Sequence, residues 1–310
     1  MWSTRSATSA RKRSPRPWEH VVVHGKHRLV QVDGVEICVE TFGEPADPAI
    51  LLIGGLAASM DWWDEEFCEH LVAGRRFVIR YDHRDTGRST SYPPGAPAYT
   101  GADLTSDALH LLDGLGLARA HLVGISAGGG IAQELVAQHP DRVASLTLMS
   151  TSPIGLGDQD AAELPPMSDE LKARFAAPPP DPNWSDRAAV IDYLVEEERA
   201  LEGPSLFDEE RVRVLAGRIF DRTTNIESSI KNHWILEEGE PVDVRLSEVT
   251  APTLVLHGTE DPLFPLPHGE ALARAIPGAR LIPLEGVGHQ VPPRPVWDVV
   301  IPALLEHTSP

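Results

Sequence analysis

His121-Leu122-Val123-Gly124-Ile125-Ser126-Ala127-Gly128-Gly129-Gly130 joins a β-prone run, a Gly-x-Ser-x-Gly pentapeptide and the start of a helical pattern that runs to Gln138, before Pro140. A serine between a strand and a helix must occupy a tight turn whose backbone costs about 1–3 kcal/mol. That turn lifts the hydroxyl clear of the sheet. Gly124 and Gly128 carry no side chain, so strand and helix can approach closely. The helix starting at Ala127 points free N–H groups and the positive end of its dipole toward the serine. The pentapeptide alone is common; its strand and helix make Ser126 the candidate nucleophile.

The flanking sequence repeats the same rhythm. Upstream, Arg28–Val32 and Val35–Glu40 are β-prone runs around Asp33-Gly34, a hairpin signal. Ala49–Ile53 is a continuous apolar run, as expected of a strand covered on both faces. Helical spacing over 61–73 precedes a short strand at 77–79, and helical spacing returns over 101–115. Downstream, Leu146–Met149 reads as a strand. From about residue 153 the alternation stops: Pro165-Pro166, Pro178-Pro179-Pro180 and acidic helix-like stretches follow, without a clear strand. It resumes with strands at 253–257 and 279–282 and helices at 268–276 and 296–306. Alternating strands and helices predict an α/β fold: a mostly parallel central sheet flanked by helices, with its site at the carboxyl ends of the strands. The expected organisation is a core of residues 26–152 and 244–310, with a helical cap inserted at 153–243.

A serine hydroxyl needs a base to take its proton. His289, in the Gly-bearing loop Glu285–Gln290 after the last strand, is the expected base. Asp261, in His257-Gly258-Thr259-Glu260-Asp261-Pro262, is the expected orienting acid, with Glu260 as its rival. The order Ser–Asp–His fits a site built from successive strand ends. An oxyanion needs two N–H donors. The backbone of Ala127 is one candidate. The other lies in Gly54-Gly55-Leu56-Ala57, with Leu56 preferred and Gly55 the alternative. His83 stays open because its loop should lie near the site. The other histidines, His233 among them, are expected to be structural or exposed. Trp62, Trp63, Trp184, Trp234 and Phe220 are candidate pocket-lining residues, although packing is the simpler role for each.

Composition narrows the partners. The 310 residues are 42% hydrophobic and 24% charged, as in ordinary globular proteins. A formal charge of −19 argues against nucleic acid and anionic membranes, which need clustered cations. No window nears the ~18 apolar residues of a membrane helix. Two cysteines, Cys38 and Cys68, give no disulfide framework, so a cytoplasmic protein is expected. No Cys/His cluster has ligand spacing, and the glycines at 124 and 128–130 are not followed by the Lys-Ser/Thr of a phosphate loop. No cofactor and no metal are therefore expected. Residues 1–17 are basic and Ser-rich without an apolar run, and residues 1–25 are expected to form a disordered tail. Between 151 and 250, acidic residues number 22 against 10 basic. A solvated helical surface accounts for this most simply, with a preference for neutral or cationic substrates as the sharper reading.

With these residues in place, the chain resembles the α/β-hydrolase superfamily from about residue 28 to 307. Ile53–Trp63 is similar to the oxyanion loop of a bacterial subgroup. Tyr81-Asp82-His83-Arg84-Asp85-Thr86-Gly87-Arg88-Ser89 is similar to a loop usually written Asp-x-Arg-Gly-x-Gly-x-Ser, with Asp85 in place of the glycine. These stretches and Val123–Ser126 resemble aclacinomycin methylesterase-like bacterial esterases, anthracycline-tailoring enzymes that carry methionine where Ala127 stands. The resemblance implies hydrolysis of a small-molecule carboxylic ester through an acyl-enzyme on Ser126, with a methyl ester of a polyketide-type metabolite as its narrow form. C–C bond hydrolases, perhydrolase or haloperoxidase-like enzymes and proline iminopeptidases remain open on the same fold, as does a non-catalytic ligand-binding member. Asp82, Arg84 and Asp85 are expected to hold their loop by ion pairs rather than to react.

Overall fold

A computed structural model describes residues 27–155, 164–240 and 242–309. The expected tail, residues 1–25, lies outside the described residues.

The hairpin signal forms as read. Strands β1 (Arg28–Val32) and β2 (Val35–Phe42) pair antiparallel, with Val32 opposite Val35. Asp33 (φ 43°) and Gly34 (φ 83°) both take positive φ. That is the two-residue turn whose twist matches the strands it joins. Strands β3 (Ala49–Ile53), β4 (Phe77–Tyr81), β5 (Ala120–Ile125), β6 (Val143–Met149), β7 (Thr253–Gly258) and β8 (Arg280–Leu284) complete an eight-stranded sheet in the order β1-β2-β4-β3-β5-β6-β7-β8. Only β2 runs against its neighbours; the other adjacent pairs are parallel.

Both faces of the sheet are covered. Along β3, Leu51 and Ile53 point into one apolar layer and Ile50 and Leu52 into the other, all fully buried. The first layer is closed by α2 (Gly101–Gly114), α3 (Ala127–Gln138) and α8 (Pro267–Ala275), through residues such as Leu104, Leu111, Ala132, Leu135 and Leu272. The second is closed by α1 (Glu65–Ala73) and α9 (Trp297–His307), through Phe67, Leu71, Val300 and Leu304. The helix expected over 61–73 is in fact two pieces. A 3-10 turn covers Met60–Trp62, and α1 starts afresh at Glu65, where Asp64 accepts from the Glu66 N–H. Asp64 is a strong N-cap, and it breaks a pattern that hydrophobic spacing alone reads as continuous.

Between β6 and β7 lie four helices among the described residues: α4 (Asp169–Ala176), α5 (Arg187–Leu201), α6 (Glu209–Arg222) and α7 (Ile226–Lys231). Helices α5 and α6 share their own apolar core, including Val190, Leu194, Val212 and Ile219. Trp62, Trp184 and Phe220 pack against it. The acidic excess lies largely on the outside, paired as in Arg187–Asp221 at 2.8 Å. Such exposed pairs each contribute little, about 0–1 kcal/mol.

The tie between these helices and the sheet is a buried one. Arg222, at the end of α6, donates to both oxygens of Asp82 at 2.6 Å and to Asp61 at 2.7 Å. Asp82 also accepts from the Met60 and Arg88 backbone N–H groups. Removing one member of such a cluster leaves buried charge uncompensated, at a cost of about 3–5 kcal/mol. Arg222→Met is therefore expected to lower the unfolding free energy by about 3–5 kcal/mol in urea titrations. A loss below about 1 kcal/mol, the range of surface pairs, would show that Arg222 is not the main tie.

Candidate active site

The chain crosses from one side of the sheet to the other between β3 and β5: β4 lies beyond β3, and the following strands extend the opposite way. Such a reversal opens a crevice at the carboxyl ends of the two strands. The loop Gly54–Ala57 leaves β3 there, and Ser126 leaves β5 there.

Ser126 has φ 53° and ψ −124°, a region that glycine favours and serine rarely enters. The turn is held from several sides. Ser126 N–H donates to Met149 O at 3.0 Å, while its carbonyl accepts from Gly129 N–H at 2.9 Å and from Thr151 Oγ1 at 2.8 Å. A Cβ on Gly124 would come within 2.2 Å of Gly128 O, and one on Gly128 within 2.4 Å of Ile53 O. Both glycines are thus required by close backbone approach, as the sequence implied.

Asp261 follows β7 and His289 follows β8. The three predicted side chains meet. His289 Nδ1 lies 2.9 Å from Asp261 Oδ2 and 3.1 Å from Oδ1, and His289 Nε2 lies 2.9 Å from Ser126 Oγ. A carboxylate only accepts, so Nδ1 carries the proton and Nε2 is left to accept from the serine hydroxyl. Asp261 Oδ1 also accepts from the Leu263 and Phe264 N–H groups at 2.9 and 2.8 Å. Burial pushes the Asp261 carboxyl up, but the His289 ring and these hydrogen bonds hold it below the usual carboxylate range. The rival Glu260 turns away and accepts from Ser205 Oγ at 2.7 Å. The arrangement can pass a proton from Ser126 to His289 while a fixed negative charge steadies the ring.

The Gly54–Ala57 loop abuts the serine. A Cβ on Gly55 would lie 3.3 Å from Ser126 Cβ. Neither Leu56 N–H nor Ala127 N–H donates to a backbone oxygen among the described residues. His83, left open by the sequence, is buried and donates from Nε2 to Gly54 O at 3.1 Å. The expected ion pairs form at Asp82 and Arg84, whose charged partners Arg222 and Asp107 lie outside the loop, while Asp85 is held by neutral donors instead. Arg84 forms a two-pronged pair with Asp107 on α2 at 2.7 Å, and Asp85 accepts from Tyr99 Oη at 2.7 Å and Asn232 Nδ2 at 2.9 Å.

Of the aromatic candidates, Trp63 is buried in the sheet core and Trp234 is 58% exposed. Sequence reasoning missed the contacts made by the helices between β6 and β7. Leu201 O accepts the His289 N–H at 2.7 Å, and Glu202 O accepts from Gln290 Nε2 at 3.0 Å. These are backbone acceptors, which no side-chain pattern announces. The single available signal was Gly288, where a Cβ would fall 2.2 Å from the Glu202 carbonyl carbon.

The strain at Ser126 has a measurable consequence. Ser126→Gly and Ser126→Ala both remove the hydroxyl, but only alanine keeps a side chain at φ 53°. The glycine variant is expected to be more stable than the alanine variant by about 1 kcal/mol: relief of ~1–3 kcal/mol of strain less ~0.4–1 kcal/mol of chain entropy. Parallel denaturant titrations check this; an alanine variant that equals or exceeds the glycine one would mean the turn is not strained.

Comparison with known proteins agrees with this architecture. Residues 48–292 match the family model described as alpha/beta hydrolase fold. Rhodomycin D methylesterase DnrP of Streptomyces peucetius is 34% identical over 293 residues, covering 91% of this chain and 97% of the relative. Among solved structures, the enol-lactonase from Burkholderia xenovorans aligns with a TM-score of 0.66 at 26% identity, over 90% of this chain and 99% of that one. The esterase RhEst1 from Rhodococcus aligns with a TM-score of 0.70 at 22% identity, over 91% and 99%, and shows the shared fold. The ester-hydrolysing enzyme expected from the sequence is the class to which the full-length methylesterase relative belongs. The resemblance read from the motifs stands, and the chain belongs to the α/β-hydrolase fold family.

Proposed function

We propose that this ester-cleaving hydrolase works through Ser126 as nucleophile, His289 as general base and acid, and Asp261 as the orienting carboxylate. The observation that carries the reading is the continuous hydrogen-bonded chain from Asp261 through His289 to the Ser126 hydroxyl, with 2.9 Å at each join. His289 takes the serine proton as Ser126 Oγ attacks the ester carbonyl. The backbone N–H groups of Leu56 and Ala127 receive the oxyanion; their support is their lack of backbone acceptors among the described residues and the close passage of Gly55, where a Cβ would lie 3.3 Å from Ser126 Cβ. The alcohol leaves with the proton from His289. Water then gives its proton to His289 as its oxygen bonds to the acyl carbon, and Ser126 Oγ leaves with that proton from His289, releasing the acid.

Residues 153–243 are proposed as a cap over this site. The support is their separate apolar core and their contacts with the His289 loop and the oxyanion loop. The proposed substrate is a neutral or cationic small-molecule carboxylic ester, in the narrow form a methyl ester of a polyketide-type acid. The resemblance of the loop motifs and the 34% identity to a rhodomycin D methylesterase favour it. No helix among the described residues is long and apolar enough to cross a membrane. Cys38 and Cys68 are buried free thiols, which supports action in the reducing cytoplasm.

Two measurements test the reading. A fluorophosphonate is expected to label the folded protein at Ser126, and Ser126→Ala is expected to lose turnover of p-nitrophenyl acetate by at least about 10³-fold. Unlabelled Ser126, or a variant that keeps most of its turnover, would place the chemistry elsewhere. For the substrate, methyl, ethyl and butyl esters of one bulky polycyclic acid are compared. Each added methylene is expected to lower kcat/KM by about 10-fold or more. Equal rates across the series would sink the methyl-ester form while leaving the serine chemistry intact.

A further inference from the structure

Three successive peptide groups surround the Leu56 N–H, and each is held by a different partner. The Gly54 carbonyl accepts from His83 Nε2 at 3.1 Å. The Gly55 carbonyl accepts from the Ala58 N–H at 3.3 Å. The Ala57 N–H donates to His233 Nδ1 at 2.8 Å. The last of these partners comes from the helical insertion, 176 residues further along the chain. His233 is itself fixed, because its Nε2 lies 2.8 Å from Arg84 O. A backbone N–H can only donate and a carbonyl can only accept, so the ring is neutral with its proton on Nε2. The neighbouring Asn232 anchors the same turn, donating to Asp85 at 2.9 Å and accepting from Gly95 N–H at 2.8 Å.

Ala57 needs such a restraint. Its φ is 59°, the left-handed region that a non-glycine residue leaves unless held. The His233 bond restrains the peptide between Leu56 and Ala57, which directly follows the peptide that carries the Leu56 N–H. Burial also keeps the His233 ring uncharged, bringing it down to about 4, with His83 nearby acting in the same direction. The bond to Ala57 therefore persists at neutral pH.

We propose that His233 is a positioning residue for ester hydrolysis, which aims the Leu56 N–H at the oxyanion by holding Ala57 in its left-handed conformation. His83 restrains the other end of the same loop. This proposal rests on the assignment of Leu56 to the oxyanion site and of Ser126 as nucleophile.

The test compares p-nitrophenyl acetate with its thionoester counterpart, in which sulfur replaces the carbonyl oxygen. A thiolate-like anion accepts hydrogen bonds weakly, so a well-aimed donor favours the oxygen ester. His233→Ala is expected to lower kcat for the oxygen ester by about 10-fold or more, short of the 10²–10³-fold that follows complete loss of a donor. KM is expected to change little, as for an interaction made only in the transition state. The thionoester rate is expected to fall far less, so the ratio between the two substrates narrows. His233→Gln keeps an acceptor and a donor side by side and is expected to recover part of the ratio. If the alanine variant does not fold, the ratio is read from the glutamine variant, which is expected to lie below wild type. Equal losses on both substrates, no loss in either variant, or a wild-type protein indifferent to sulfur would overturn the proposal. Fluorophosphonate labelling of the same wild-type preparation separates the two levels. An unlabelled Ser126 removes the nucleophile reading; a labelled Ser126 with equal losses removes the role of His233 alone.

Discussion

Helix α3 lies against β3 and β5 with almost no space between backbones. Gly128 sits under Ile53 O, and Gly124 sits under Gly128 O, at distances no side chain could survive. That contact decides more than local packing. It brings the chain out of β5 and into α3 within one residue, so that residue must take a positive φ. It also brings the end of β3 beside the start of α3, so close that a Cβ on Gly55 would lie 3.3 Å from Ser126 Cβ. The Ser126 hydroxyl, the free N–H of the first helical turn and the Gly54–Ala57 loop lie close together because two glycines allow the layers to close. The strain at Ser126 follows from that closure, and it is sustained by hydrogen bonds to Met149 O and from Thr151 and the turn of α3.

The second level of organisation is the way the helical insertion joins this centre. Its grip uses groups that only long-range structure can supply. Arg222 reaches into the Asp61–Asp82 pair, His233 bridges Ala57 and Arg84, and the end of α5 offers its last carbonyls to the His289 loop. Each contact falls on a loop that carries a proposed reacting group or lies next to one. The insertion is therefore part of the scaffold that fixes the loops of the proposed oxyanion donor and base.

These two levels differ in how far the sequence discloses them. The strand–turn–helix around Ser126, the Asp33-Gly34 hairpin and the doubly covered strand Ala49–Ile53 are written in local patterns, because backbone geometry and burial periodicity act over a few residues. The order of Ser126, Asp261 and His289 was legible for the same reason: each follows a strand that can be recognised on its own. The break at Asp64 was missed because apolar spacing carries across a cap. His233 read as one histidine among many, since its importance lies in two backbone groups far along the chain. Leu201 and Glu202 act through carbonyls that every residue possesses. Only the glycine at 288 hinted that another backbone passes there.

The hydrogen bonds of Ala57 and His289 carry a consequence for the protein's motions. Both amides belong to loops of the sheet domain, yet their acceptors, the His233 ring and the Leu201 carbonyl, belong to the insertion. Amide protons exchange with solvent only when their bonds open. Exchange of these two protons therefore requires their contacts with the insertion to open, whatever the stability of the strands beneath. They are built-in reporters of the contact between the insertion and the loops that carry Ala57 and His289.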